Sequence, residues 1–138
     1  MQRPAPKTLG SVTLTKGFRV SVSPRYLADH SEPVASRYVF SYRIRITNGS
    51  DSAAKLISRR WLITDGGGVI HTVEGEGVVG QQPVIGPGET HEYTSFCPLP
   101  TPWGTMEGAY TMQPTSDPTK EFDIEIGRFY LLTPDSIL

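Results

Sequence analysis

Between Arg37 and Ile46 the side chains alternate. Tyr38, Phe40, Tyr42, Ile44 and Ile46 share one face, and Arg37, Ser41, Arg43 and Arg45 share the other, with Val39 the exception. Successive side chains of a β-strand point to opposite faces, so this pattern specifies a half-buried strand and fits no face of a helix. Asn48-Gly49 closes it with turn chemistry.

The same two-residue period recurs along the chain. Phe18, Val20 and Val22 alternate with Arg19, Ser21 and Ser23, and Pro24 suits an edge or a bulge. Residues 55–65 carry Ile57, Trp61 and Ile63 on one face and Leu56 and Leu62 on the other, as a covered strand does. Asp65-Gly-Gly-Gly68 is a hairpin turn into Val69–Glu74. His91, Tyr93, Ser95 and Cys97 share a face, as do Met106, Gly108, Tyr110 and Met112. Phe122, Ile124 and Ile126 oppose Glu121, Asp123 and Glu125. The apolar register then changes at Phe129, which predicts a bulge at Gly127. Residues 1–11 and 135–138 read as loose tails, and 28–36 as a polar loop.

The 14 glycines and 12 prolines fall between these short runs and punctuate them as turns. No stretch shows helical periodicity. The expected fold is therefore all-β, an antiparallel two-sheet sandwich of about seven strands, immunoglobulin-like or fibronectin type III-like; a small barrel is the alternative. The 138 residues suit a single domain, 1–138. Phe40, Tyr42, Ile44, Trp61, Tyr110 and Ile124 are its expected core.

The net charge of −1 hides an asymmetry. Residues 1–60 carry 11 basic and 3 acidic side chains, and residues 61–138 carry 2 basic and 11 acidic ones. Complementary pairing between interleaved strands accounts for this, with Arg43 and Arg45 expected on the same sheet as Asp123 and Glu125. No basic cluster is denser than Arg59-Arg60, so there is no strong nucleic-acid signal. The single Cys97 forms no internal disulfide. The N-terminus lacks an apolar signal core, and no run reaches transmembrane length, so the cytoplasm is the expected location.

Val73-Glu-Gly-Glu-Gly-Val-Val-Gly80 places Gly75, Gly77 and Gly80 at G-x-G-x-x-G spacing. A dinucleotide turn needs a helix opening at the third glycine, so that its amides face the pyrophosphate. Gln-Gln-Pro83-Val-Ile-Gly86-Pro87-Gly88 follows instead, and Glu76 would repel a phosphate. The glycines read as a crowded turn, with phosphate or nucleotide binding there as the alternative.

Catalysis and metal binding have little support in the pattern. Cys97 has no evident base, since His91 lies six residues away along one strand, about 20 Å. His30, His71 and His91 lie in no catalytic signature, and one cysteine with three scattered histidines cannot build a structural zinc site. Asp65 and Glu89 stand beside glycine turns, where they stabilise the turn or join a weak divalent-cation site. No metal site and no cofactor are expected.

Three stretches together resemble the bacterial ApaG family: Ser58-Arg59-x-Trp61-x-Ile63-Thr64-Asp65; Val73-x-Gly-Glu-Gly-Val-Val-Gly-x-Gln-Pro83 with Pro87-Gly-Glu89; and Tyr93-Thr-Ser95 through Pro102-x-Gly104-x-Met106-x-Gly108-x-Tyr110. The resemblance runs from about Val20 to Pro134. It implies a fibronectin type III-like sandwich and a link to cobalt and magnesium efflux. It also implies protein-interaction modules, since similar domains sit in F-box proteins and in a DNA-polymerase-delta-interacting protein. The expected function is a non-enzymatic interaction or adaptor domain whose partner is another protein. Its expected surface is an exposed sheet edge, or the loops 81–89 and 98–104 with Trp103 as anchor and Pro83 and Pro87 as stiffeners. An enzyme of unknown class is a further alternative.

Overall fold

The computed structural model describes residues 9–137. Most of them lie in nine antiparallel strands: β1 (Ser11–Thr15), β2 (Phe18–Tyr26), β3 (Tyr38–Asn48), β4 (Ala54–Asp65), β5 (Ile70–Glu76), β6 (Val84–Ile85), β7 (Thr90–Leu99), β8 (Trp103–Pro114) and β9 (Phe122–Leu132). One sheet has the order β1-β2-β3-β7. The other has the order β5-β4-β8-β9, with β6 beside the start of β4. The two inner faces meet as a sandwich, and all six expected core residues are buried in it. Trp61 sits at its centre, with edge-on contacts to Tyr42, Tyr110 and Phe129 at ring separations of 5.4, 6.5 and 5.8 Å.

Two strands exceed the expected seven. In β1 the pattern is inverted: Val12 and Leu14 face solvent, while Ser11, Thr13 and Thr15 face the molecule. This corrects the reading of residues 1–11 as a loose tail for the part that is described. Strand β6 is two residues within the 81–89 loop, held because Ile85 is buried. At the other end Pro134–Ile137 forms one helical turn where a loose tail was expected.

Two bulges reset the registers. In β4, Leu56 faces Met112 but Ser58 faces Thr111, so Ile57 is the extra residue. The bulge lets Leu56 and Trp61, five residues apart, share the inner face, whereas strict alternation placed Leu56 opposite Trp61 and Ile57 beside it. In β9, Met106 faces Phe129 but Gly108 faces Ile126, so the extra residue falls at Gly127–Arg128, where a bulge was expected.

The charge asymmetry resolves differently from expectation. Arg43 and Arg45 are on β3, and Asp123 and Glu125 are on β9, in opposite sheets. Arg43 and Arg45 pair instead with Glu92 on the neighbouring β7, at 2.6 and 3.2 Å. Arg60 reaches across β8 to Asp123 at 2.8 Å, with Thr111 between them bonding both. Basic first-half strands do meet acidic second-half strands, but within each sheet.

The two margins of the sandwich differ. Along one, β1 lies against β9 and its hydroxyls bond the β9 backbone. Ser11 Oγ donates to the Gly127 carbonyl at 2.7 Å, Thr13 Oγ1 donates to the Glu125 carbonyl at 2.6 Å, and the Glu125 amide donates to Thr15 Oγ1 at 3.1 Å. Along the other margin, among the described residues, no hydrogen bond joins β5 to β7. These two strands are the free edges of their sheets.

A candidate ligand cleft at the open margin

The inner face of the β4–β5 hairpin carries three facing pairs: Arg59 with Gly75, Trp61 with Val73, and Ile63 with His71. Opposite them stand Tyr42 of β3 and Ser95, Cys97 and Leu99 of β7. Because no strand closes this side, the space between the sheets stays open as a cleft of about 460 Å³, within the range of small-ligand sites. Val73 and Phe96, which are 40% and 61% exposed, stand at its rims on the two edge strands.

Arg59 is the half-buried charge of the cleft. Its Nη1 donates to the carbonyls of Glu76 and Gly77 at 3.1 and 2.8 Å. The guanidinium lies flat against Gly75, where a Cβ would come within 2.8 Å of both Nη1 and Nη2. Gly75 therefore has a packing reason to be glycine: its neighbour's side chain crosses it. At the other end of the hairpin, His71 Nε2 is 3.8 Å from Asp65 Oδ2. Asp65 is buried and accepts the amides of Gly67 and Val69, so it is tied into the turn. Glu89 likewise accepts the Gly86 amide, at 2.6 Å.

The remaining groups are poor acids and bases at neutral pH. Burial pushes the Cys97 thiol up to about 11, and that burial is its only perturbing influence. Its contact is the Pro98 carbonyl at 3.8 Å, so no base activates it although His71 lines the same cleft. Burial also raises the phenol of Tyr42, against the opposing effect of the Ser95 hydroxyl. Tyr93 and Tyr110 are raised by burial as well, and their hydroxyls bond each other. His91 is on the same face of β7 as Cys97 but at the far end of the strand. Among the described residues no three of His, Cys, Asp and Glu converge as metal ligands would.

The other singled-out residues lie outside this cleft. Gly77, at φ +64°, donates its amide to the Ile57 carbonyl. Val78 and Gln81 exchange backbone hydrogen bonds around Val79 and Gly80, whose φ values are +47° and +77°. The segment is a tight turn whose amides at Gly77, Val78 and Gln81 already serve the fold. Trp103, 42% exposed, starts β8 with its indole against Gly66. Pro83 is half-buried, its carbonyl accepting the Leu56 amide, and Pro87 is exposed. The loops 81–89 and 98–104 flank opposite ends of the ten-residue β7. They are thus about 30 Å apart and do not form one surface. Alternation in β4 put Arg59 in phase with Trp61, and that phase was the available signal for its place in the cleft.

The class these features define is an antiparallel β-sandwich domain with one stitched margin and a ligand-sized cleft at the other. A family model described as the ApaG domain matches residues 28–114, and the chain belongs to that family. It is 51% identical over 120 residues to protein ApaG of Methylobacterium sp. strain 4-46, covering 87% of this chain and 91% of that one. To protein ApaG of Thiobacillus denitrificans it is 51% identical over 117 residues, with coverages of 85% and 91%. A crystal structure of a Bordetella pertussis protein described as ApaA superposes with a TM-score of 0.80 at 46% identity, covering 94% of this chain and 98% of the other.

Proposed function

We propose that this chain is a non-enzymatic interaction domain that receives a partner protein at its open margin. The observation that carries the reading is the cleft between the unpaired edges β5 and β7, with Val73 and Phe96 exposed at its rims. Apolar side chains beside a concave, mostly apolar site are what a partner's side chain would bury against. The chemistry of the site agrees. Cys97 is a protonated thiol with no activating base, and a nucleophile without a base has little reactivity. Through such a partner the domain would contribute to the cobalt and magnesium efflux that its family resemblance implies. Among the described residues no helix is long and apolar enough to cross a membrane, which fits an auxiliary role in that process.

The test captures partners from lysate with wild type and with Phe96→Asp, a substitution on the outer, exposed side of β7. A partner retained by wild type and lost by a folded Phe96→Asp supports the reading. Retention of every partner by the variant, or turnover of a substrate by purified protein, overturns it.

A further inference from the structure

A guanidinium has five N–H donors in a rigid planar fork. Both hydrogen bonds of Arg59 leave from Nη1. Among the described residues, its Nε and Nη2 have no hydrogen-bond partner, and no carboxylate lies within ion-pair distance of it. Neither atom is sealed from solvent: the one buried, unpartnered side-chain nitrogen among the described residues is His91 Nε2. The Nε–Nη2 edge is one that a carboxylate can engage through two parallel hydrogen bonds. The Gly77 and Glu76 carbonyls hold Nη1, and Gly75 leaves room for the plane, so the fork is fixed before anything binds.

This cation stands at the end of an apolar cleft. Trp61, Ile63, Val73, Leu99 and Met106 supply its walls. The other basic side chain of the cleft, His71, already has Asp65 beside it. The site therefore offers one unmatched positive fork next to a space sized for a large apolar side chain. The free edges of β5 and β7 admit an extended chain from the side, while Pro98 of β7 supplies no amide for a continuous added strand. Recognition then has to come from side chains.

We propose that the cleft binds an extended acidic–apolar peptide segment: one large apolar side chain enters between the sheets, and a carboxylate within two residues of it docks on the Nε–Nη2 edge of Arg59. This rests on the interaction-domain reading and names the chemistry of the partner.

The test screens purified protein against a synthetic library of end-capped hexapeptides. One central position varies over Phe, Leu, Trp, Tyr and Met, and the flanking positions vary over Glu, Asp, Gln, Asn and Ser. Enriched peptides should carry an acid within two residues of the apolar anchor. Replacing that Glu by Gln should weaken binding about tenfold or more. In Arg59→Gln the Glu and Gln peptides should bind equally, because the charge has lost its partner. Arg59→Lys should keep part of the acid preference, having charge without the fork. Since Arg59→Gln also removes two bonds to the turn, Gly75→Ala is the second variant. It keeps the arginine but pushes the guanidinium aside, and should reduce the preference in the same direction. Enrichment without acid preference, acid preference that survives in folded Arg59→Gln, or no enrichment at all overturns the proposal. If the charge preference fails while Phe96→Asp still abolishes partner capture, the interaction domain stands and only the acidic chemistry falls. If capture survives Phe96→Asp as well, both fall.

Discussion

Gly77 and Gly80 sit three residues apart with the same backbone hand, yet their surroundings differ. At Gly77 a Cβ would collide with the Gln81 carbonyl oxygen; at Gly80 it would meet nothing. Alanine at either position must adopt a left-handed conformation, at about 1–2 kcal/mol. Gly77→Ala should lose clearly more than Gly80→Ala, because the collision adds to the backbone term. Urea midpoints of the two variants check this, and equal midpoints would contradict it. Gly75 is of a third kind: its neighbour is the far end of the Arg59 side chain, which can swing aside at the expense of its bonds to the Glu76 and Gly77 carbonyls, so Gly75→Ala should lose less than Gly77→Ala. Cys97 gives a second residue-scale prediction. With its thiol raised to about 11 and 5% exposed, it should alkylate slowly with iodoacetamide at neutral pH and faster as pH rises toward that value. Fast labelling at neutral pH, read by mass spectrometry, would contradict the placement. His91 gives a third. Burial lowers its pKa below the usual 6.5, so the unfolded chain takes up the proton first. Its contribution to stability is fully present above 6.5 and is lost as pH falls through the window below that value. His91→Gln should flatten that part of the stability–pH curve, measured by urea unfolding between about pH 8 and about pH 5.

The individual strands show how far the pattern of residues reaches. Strands β2, β3, β8 and β9 announced themselves, because each buries one face and the period of two survives over five or more residues. The bulge at Gly127 was legible because the apolar phase breaks there. The β4 bulge was not, because apolar residues occupy both faces and a slip of one leaves the pattern looking intact. Strand β1 was hidden by its inversion: its inward groups are hydroxyls, matched to the β9 backbone rather than to the core. The site was partly visible. Trp61 was expected inside, but Arg59 was noted only as half of the densest basic pair, and nothing local to residues 90–97 shows that Cys97 shares a cleft with His71. Such proximity depends on which edges lack a neighbour, a property of sheet order rather than of any one strand. A prediction belongs to β1. Thr15→Val removes the acceptor of the Glu125 amide, so hydrogen exchange at Glu125 should quicken while the β4 amides stay protected. Each lost seam bond should lower stability by about 0.5–1.5 kcal/mol.

Among the described residues most close approaches join segments distant in sequence: β3 finds β7 across the intervening strands, and β1 meets β9 from the opposite end of the described chain. Sandwiches of this kind close long loops before gaining contacts, so refolding should fall in the millisecond-to-second range. Stopped-flow fluorescence checks this. The ion pairs should set this rate little, since Arg43–Glu92 and Arg60–Asp123 are exposed on outer faces. The margins matter in another way. With β1 fastened to β9 and β5 free of β7, the sheets are like the boards of a book, bound along a spine and able to part at the fore-edge. A guest at Arg59 is gripped by whatever stiffness the spine supplies. Loosening the binding at Gly127, where a side chain would strike Thr13 on the far margin, should therefore change how tightly the fore-edge holds its guest without touching it.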